Sequence, residues 1–322
     1  MNPHAPVQPE YLTARLNSDH GFRGGPTAKL HEVPGTGIDL ALTEGESVDL
    51  WTNSLRVELT ALGQPEIDPG LTVAVRCLPG STGHLQGFYM GQNFQAPSQR
   101  ALTPVLRGVF TAPATGTYRC ALWMSGYGAG KPYDYVLRTG ASLNAARIGP
   151  ERTTRSAHQW TDPQPTQDRV LHGAESVRVL TRDMRLDEGI DTATLLMHLN
   201  VTTCAPYDIY PGCGSTSGSG SKLGTHIEVE PLDARGRPAG TLISSPVRET
   251  TVHWNQHHMT IEQTLEVRAD QLRGRRLRTS LVIEKRHDVV YSNDLRLHSI
   301  WGRINGSAKD VWAPSYGVLY QY

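Results

Sequence analysis

The sequence predicts an all-β protein of two tandem antiparallel β-sandwich domains. Three observations carry that prediction. Short segments that alternate polar and apolar residues recur along the chain, separated by turn signals such as Glu44-Gly45, Leu62-Gly63 and Pro79-Gly80. The composition, with 32 Gly and 21 Pro in 322 residues and few long apolar runs, suits strands and turns better than helices. Two of the alternating segments carry a cysteine each, Cys77 and Cys120, placed as a sandwich places its staple. A chain of this length holds two domains of ordinary size, each large enough for a real core.

The elements follow in chain order. Residues 1–35 are rich in Pro, Gly, His and polar side chains without sustained periodicity, and read as an extended N-terminal arm. Residues 36–140 read as the first sandwich, with strands at Ile38–Leu42, Ser47–Trp51, Leu55–Leu59, Thr72–Leu78, Leu85–Met90, Leu106–Thr111, around Cys120, and Tyr133–Arg138. Residues 141–167, polar and carrying Pro150, Pro163 and Pro165, read as a linker. Residues 168–322 read as the second sandwich, whose loop Gly214–Ser221 is glycine- and serine-rich enough to be expected exposed and mobile. The two blocks match faintly when Val75–Leu78 is set on Val229–Leu232 and Tyr118–Leu122 on Leu277–Leu281; Pro231 and Thr279 then stand where the first block has its cysteines.

Charge and hydropathy exclude several classes. Thirty-one basic and 31 acidic side chains cancel, so no global field draws the protein to nucleic acid or anionic lipid. The longest apolar candidate, Ala193–Val201, is broken by His198 and Asn200, which argues against membrane insertion. Met1–Glu10 has no basic start and no apolar h-region, so no signal peptide is visible. Paired cysteines nevertheless favour an extracellular location, with a leader already removed.

Four cysteines allow three connectivities, and pairing within each block, Cys77 with Cys120 and Cys204 with Cys213, is the economical choice. The chain-entropy estimate assigns roughly 4 kcal/mol to the first and roughly 2.7 kcal/mol to the second. Neither pair has the close spacing of a zinc knuckle, and no metal or other cofactor is expected. The run Gly116-x-Tyr118-x-Cys120 resembles the F-strand pattern of immunoglobulin-like domains. That resemblance implies a Tyr118 hydroxyl bonded back to the corner backbone and a Cys77–Cys120 bridge between sheets. The tryptophan that pattern places about a dozen residues after the first cysteine is missing, Tyr89 and Met90 standing there instead, so a jelly roll competes with an immunoglobulin-like topology.

Function is expected to be binding rather than catalysis. In the ring closed by Cys204 and Cys213, prolines and a disulfide would hold Tyr207 and Tyr210 outward at low entropic cost. Trp254, and Trp312 with Tyr316 in the aromatic C-terminal segment, complete the expected ligand-binding set, with a surface carbohydrate or a protein as partner. The enzyme alternative, a polysaccharide-acting protein on a jelly-roll scaffold, would use His253 or His257, which strand alternation places on one face. A third reading is a structural subunit of an extracellular assembly whose arm completes a neighbour's sheet. There is no Gly-x-Ser-x-Gly elbow and no His-Glu-x-x-His. Oligomeric state is not legible.

Overall fold

The computed structural model describes residues 11–25, 28–61, 69–78, 87–94, 99–127, 133–161, 169–206, 212–256, 258–272, 275–297, 300–302, 311–313 and 315–322. Thirteen strands occupy the first half: β1 (Tyr11–Arg15), β2 (His20–Gly24), β3 (His31–Glu32), β4 (Ile38–Leu42), β5 (Ser47–Asn53), β6 (Val57–Ala61), β7 (Gly70–Leu78), β8 (Gly87–Asn93), β9 (Ala101–Leu102), β10 (Arg107–Thr111), β11 (Gly116–Tyr127), β12 (Tyr133–Leu137) and β13 (Ser142–Arg147). Thirteen more follow: β14 (Ser156–Thr161), β15 (Arg169–Leu171), β16 (Ser176–Arg185), β17 (Thr192–Thr203), β18 (Gly220–Leu232), β19 (Ile243–Ser244), β20 (Arg248–His253), β21 (His258–Arg268), β22 (Arg276–Arg286), β23 (Leu295–Leu297), β24 (Ile300–Gly302), β25 (Val311–Ala313) and β26 (Tyr316–Gln321). Helical turns among the described residues are short and of 3-10 type, such as Trp254–Gln256 and Ala269–Gln271.

The all-β sandwich expectation holds, and the strand order resolves its topology. The first half pairs β1-β13-β5-β10 in one sheet and β4-β11-β7-β8 in another; the second pairs β14-β26-β17-β21 and β16-β22-β18-β20. Ranked by chain order, the eight principal strands of each half read first-eighth-third-sixth and second-seventh-fourth-fifth. That is the jelly-roll order, with both halves alike. The strands matched in the sequence, β7 with β18 and β11 with β22, hold the fourth and seventh places in both. Their registers differ: Cys77 faces Cys120, whereas Thr279 faces Val229 and Pro231 faces Leu277.

Three expectations are corrected. The Cys77–Cys120 disulfide forms, but it is not an inter-sheet brace, because β7 and β11 are hydrogen-bonded neighbours and the two Cα atoms lie 3.9 Å apart across one sheet. Tyr118 nevertheless donates its hydroxyl to the Ala114 carbonyl at 2.6 Å, the corner bond that the immunoglobulin-like pattern implied. Within the arm expected at 1–35, β1 pairs with β13 and β2 with β12, so Tyr11–Arg15 and His20–Gly24 are strands of the first half's own sheets. The stretch expected as a linker contains β13, the last strand of the first jelly roll, and β14, the first of the second.

Two hydrophobic clusters fill the halves, and the first extends into the second half. Leu196, Tyr316, Val318 and Tyr320 pack into the cluster of residues 16–145, while Leu195, Met197 and Leu319 pack into the other. The two-residue period of a strand makes this possible: β17 and β26 are buried on both faces, giving alternate side chains to alternate cores. Polar bonds seal the same junction. The Gly91 amide donates to Thr260 Oγ1 (3.2 Å), the His258 amide to Asn93 Oδ1 (2.9 Å) and the Val109 amide to Gln159 Oε1 (2.8 Å).

Candidate functional site

The outward face of the β1-β13-β5-β10 sheet is set by register. One row across the strands is Tyr11, Ala146 and Asp49; the next is Thr13, Asn144, Trp51 and Arg107; the third is Arg15, Ser142 and Asn53. The inward residues Val48, Leu50, Phe110 and Leu143 fill the core. The second half covers one end of the outward face. There Arg107 binds both Asp49 oxygens (Nε–Oδ1 3.2 Å, Nη2–Oδ2 2.7 Å), and its guanidinium lies 4.2 Å over the Tyr320 ring. Burial disfavours the Arg107 charge, but the Asp49 carboxylate outweighs that and raises the guanidinium above its ordinary value.

The other end is open. A groove of about 510 Å³ is lined by Tyr11, Thr13, Arg15, Trp51, Asn53, Ser54, Ser142 and Asn144. Tyr11, 52% exposed, and the half-buried Trp51 stand with ring centroids 6.0 Å apart and planes inclined at 52°. Thr13 Oγ1 donates to Asn144 Oδ1 (2.8 Å), and Asn144 Nδ2 donates to the Trp51 carbonyl (3.3 Å), so the floor beneath the rings is braced by its own hydrogen bonds. Ser54, with φ of 56°, turns the chain sharply at the end of β5. Flat apolar rings beside amides, hydroxyls and one guanidinium are what a ligand with an apolar face and a polar rim requires.

A second groove, about 420 Å³, lies beside β14 and β16 and includes His158, Arg182 and Arg185. It follows a bulge in β16 where Leu180 takes a φ of 52° and its carbonyl accepts the Trp160 Nε1 bond at 2.9 Å. Trp160 is only 9% exposed and offers no free ring face there.

The residues singled out by sequence are distributed differently. Tyr207, Tyr210 and His257 lie outside the described residues. Trp312 falls in β25, which pairs with β24. Tyr316, expected as an exposed binding residue, is 2% exposed: its ring stacks on His198 (4.8 Å, 8°) and its hydroxyl donates to the Arg107 carbonyl (2.9 Å). Burial raises its phenol well above the ordinary value. The expected single strand through His253 and His257 is broken by the 3-10 turn Trp254–Gln256, which reverses the chain between β20 and β21. His253 meets Tyr291 edge-on at 5.6 Å. Among the described residues no group of three or more His, Cys, Asp or Glu is placed to hold a metal.

Trp254 is 41% exposed, and its amide donates to Ser219, whose own amide donates to Val290; Val289 and Val290 are 96% and 53% exposed. The Cys204–Cys213 disulfide forms, and its surroundings correct the expectation of a loose glycine-serine loop. Asp294 Oδ2 accepts the Gly214 and Ser215 amides at 2.8 Å each, and Asn293 Oδ1 accepts the Gly218 amide at 2.5 Å. Asn293 Nδ2 in turn donates to the Cys204 carbonyl at 2.8 Å.

Sequence reasoning missed the Tyr11–Trp51 groove. Its walls come from β5, β1 and β13, and the composition presents the last two as arm and linker. The available signal was the alternation Tyr11, Thr13, Arg15 opposite Ser142, Asn144, Ala146, which reads as a strand pair only when the two segments are considered together.

Fold and groove together define a tandem jelly-roll protein with an aromatic-walled polar site on its first half. No family model matches the chain, and no curated protein sequence matches it. Among solved structures, PNGase F, a glycosylasparaginase from Flavobacterium meningosepticum, aligns over 95% of this chain and 96% of its own, with 9% identity and a TM-score of 0.38. The tandem CBM22-1–CBM22-2 domain of Paenibacillus barcinonensis Xyn10C aligns over 88% and 90%, with 14% identity and a TM-score of 0.24. A structure of the infectious bursal disease virus Gx strain aligns over 97% of this chain and 77% of that one, with 9% identity and a TM-score of 0.29. At these scores the likenesses assign no family, activity or ligand.

Proposed function

We propose that this protein is an extracellular, non-catalytic binding protein that takes a saccharide in the groove lined by Tyr11 and Trp51. The observation that carries the reading is the inclined ring pair, 6.0 Å apart, standing over amide and hydroxyl groups. A sugar ring presents a C–H face that stacks on an aromatic surface and a rim of hydroxyls that pairs with amides, hydroxyls and guanidinium. The extracellular part of the reading is supported by the two disulfides.

Titration calorimetry of oligosaccharides against the wild type and the variants Trp51→Ala and Tyr11→Ala tests it. Each variant is expected to weaken binding by roughly 2 kcal/mol, the scale of an aromatic hot spot. Unchanged affinity in both variants, or no saccharide bound by the wild type, overturns the reading. A protein partner is the second reading, supported by the exposure of Trp254, Val289 and Val290 around Ser219. Trp254→Ala separates the two: it leaves saccharide affinity unchanged if the groove is the site, and abolishes partner capture if the Trp254 surface is.

A further inference from the structure

We infer that the ligand of the Tyr11–Trp51 groove is an anionic saccharide, one whose carboxylate or sulfate ester is held by Arg15. The inference rests on the saccharide reading and adds the charge class of the ligand. Arg15 belongs to the third row of the sheet face, beside Ser142 and Asn53, and its side chain lines the groove with theirs. None of the eight lining residues carries a carboxylate. Among the described residues the Arg15 guanidinium has neither an ion-pair nor a hydrogen-bond partner. Asp49, the nearest acid in the register of that face, is engaged through both oxygens by Arg107 beneath the second half.

The groove therefore holds one uncompensated cation in a frame of neutral donors and acceptors. A guanidinium matches the planar, two-oxygen geometry of a carboxylate or the oxygens of a sulfate, and such charge-assisted bonds are about twice as strong as neutral ones. Tyr11 and Arg15 lie four residues apart on one strand, about 13 Å at the usual strand rise. A ligand of more than one sugar unit spans that distance, stacking one ring at Tyr11 and Trp51 and presenting its acidic group toward Arg15, with Asn53 and Ser142 alongside.

The test is calorimetry with three oligosaccharides of one backbone and length: one bearing uronic acids, its carboxyl-reduced neutral counterpart, and a sulfated form. Wild-type protein is expected to bind an anionic form about tenfold or more tightly than the neutral one, with a preference that shrinks as salt is added. Arg15→Gln is expected to bring the anionic forms down to the neutral level, while Arg15→Lys, which keeps the charge but not the two-pronged geometry, retains only part of the preference; unchanged thermal unfolding of both variants shows that the fold is intact. A preference for the uronic acid alone assigns a carboxylate, and for the sulfated form alone a sulfate ester. Equal wild-type affinity for neutral and anionic forms, or a preference that survives Arg15→Gln, overturns the inference and leaves the saccharide reading standing. If none of the three binds, both fall.

Discussion

Tyr316 donates its hydroxyl to the backbone carbonyl of Arg107 at 2.9 Å, across 209 residues of sequence and across the junction of the two jelly rolls. The same side chain belongs to the hydrophobic cluster of the first half although its strand closes the second. Tyr316→Ala should cost about 3–5 kcal/mol, as for loss of a buried aromatic, and Tyr316→Phe only about 1 kcal/mol, for one hydrogen bond. Because the cluster is shared, urea should unfold wild-type protein in one transition, and Tyr316→Ala should lower that transition for fluorescence and far-UV probes alike. Two separated wild-type transitions would refute the coupling.

Cys77 and Cys120 staple strands that are already paired at nine positions. Their double replacement by alanine should leave the fold and its circular dichroism intact while lowering stability by up to roughly 4 kcal/mol on the chain-entropy estimate. Urea unfolding of the variant, beside wild-type protein with and without reductant, checks both parts. Loss of the folded baseline in the variant would contradict them.

His20 and His31 bring their Nε2 atoms within 3.3 Å of each other. Both are held below the ordinary histidine value of 6.5, His20 by burial and then by the charge of His31, and His31 by burial, which outweighs the Lys29 carbonyl. The unfolded chain therefore takes up protons first as pH falls. The stability contributed by these neutral imidazoles is fully present above 6.5 and is lost as pH drops through the lower folded values. Comparing urea midpoints at about pH 7.5 and about pH 5.5, a His20→Gln variant should show a smaller drop than wild type. An equal drop would rule out this pair as a source.

Asp294 holds the start of the Gly214–Ser221 loop through two backbone amides and also meets His172 Nδ1 at 2.9 Å. Asp294→Ala should cost roughly 1.5–3 kcal/mol, as for hydrogen bonds to a charged group. It should also speed amide hydrogen exchange at Gly214 and Ser215 while exchange in β5 and β13 stays unchanged. Unaltered exchange at those two amides would show that the loop is held by other means.

Much of the fold was legible because most strands bury one face against a core. Ile38–Leu42 shows it plainly, with Ile38, Leu40 and Leu42 buried and Asp39 and Ala41 exposed. Tyr11–Arg15 shows the opposite case. As an edge strand it has no fully buried residue, so its alternation carries no hydrophobic signal and it passes for an arm. Ser142–Arg147 hides differently, since its outward residues Ser142 and Asn144 are buried polar side chains of the groove floor. The candidate site was thus least visible where it is built, because its polar outward face removes the apolar periodicity that reveals strands.

The sequence alone determined an all-β chain, many of its strands though not β1, β13 or β14, and the partnership of cysteines within each half, because local periodicity and economical pairing are properties of the order of residues. Tertiary structure decided the rest. It settled that Cys77 and Cys120 lie within one sheet, that Tyr316 serves the junction instead of a ligand, and that Tyr11, Trp51 and Arg15 share a groove. Each of these depends on which strands become neighbours. In a jelly roll the first, third and last strands of a half lie side by side, so their shared face exists only once the chain has closed on itself.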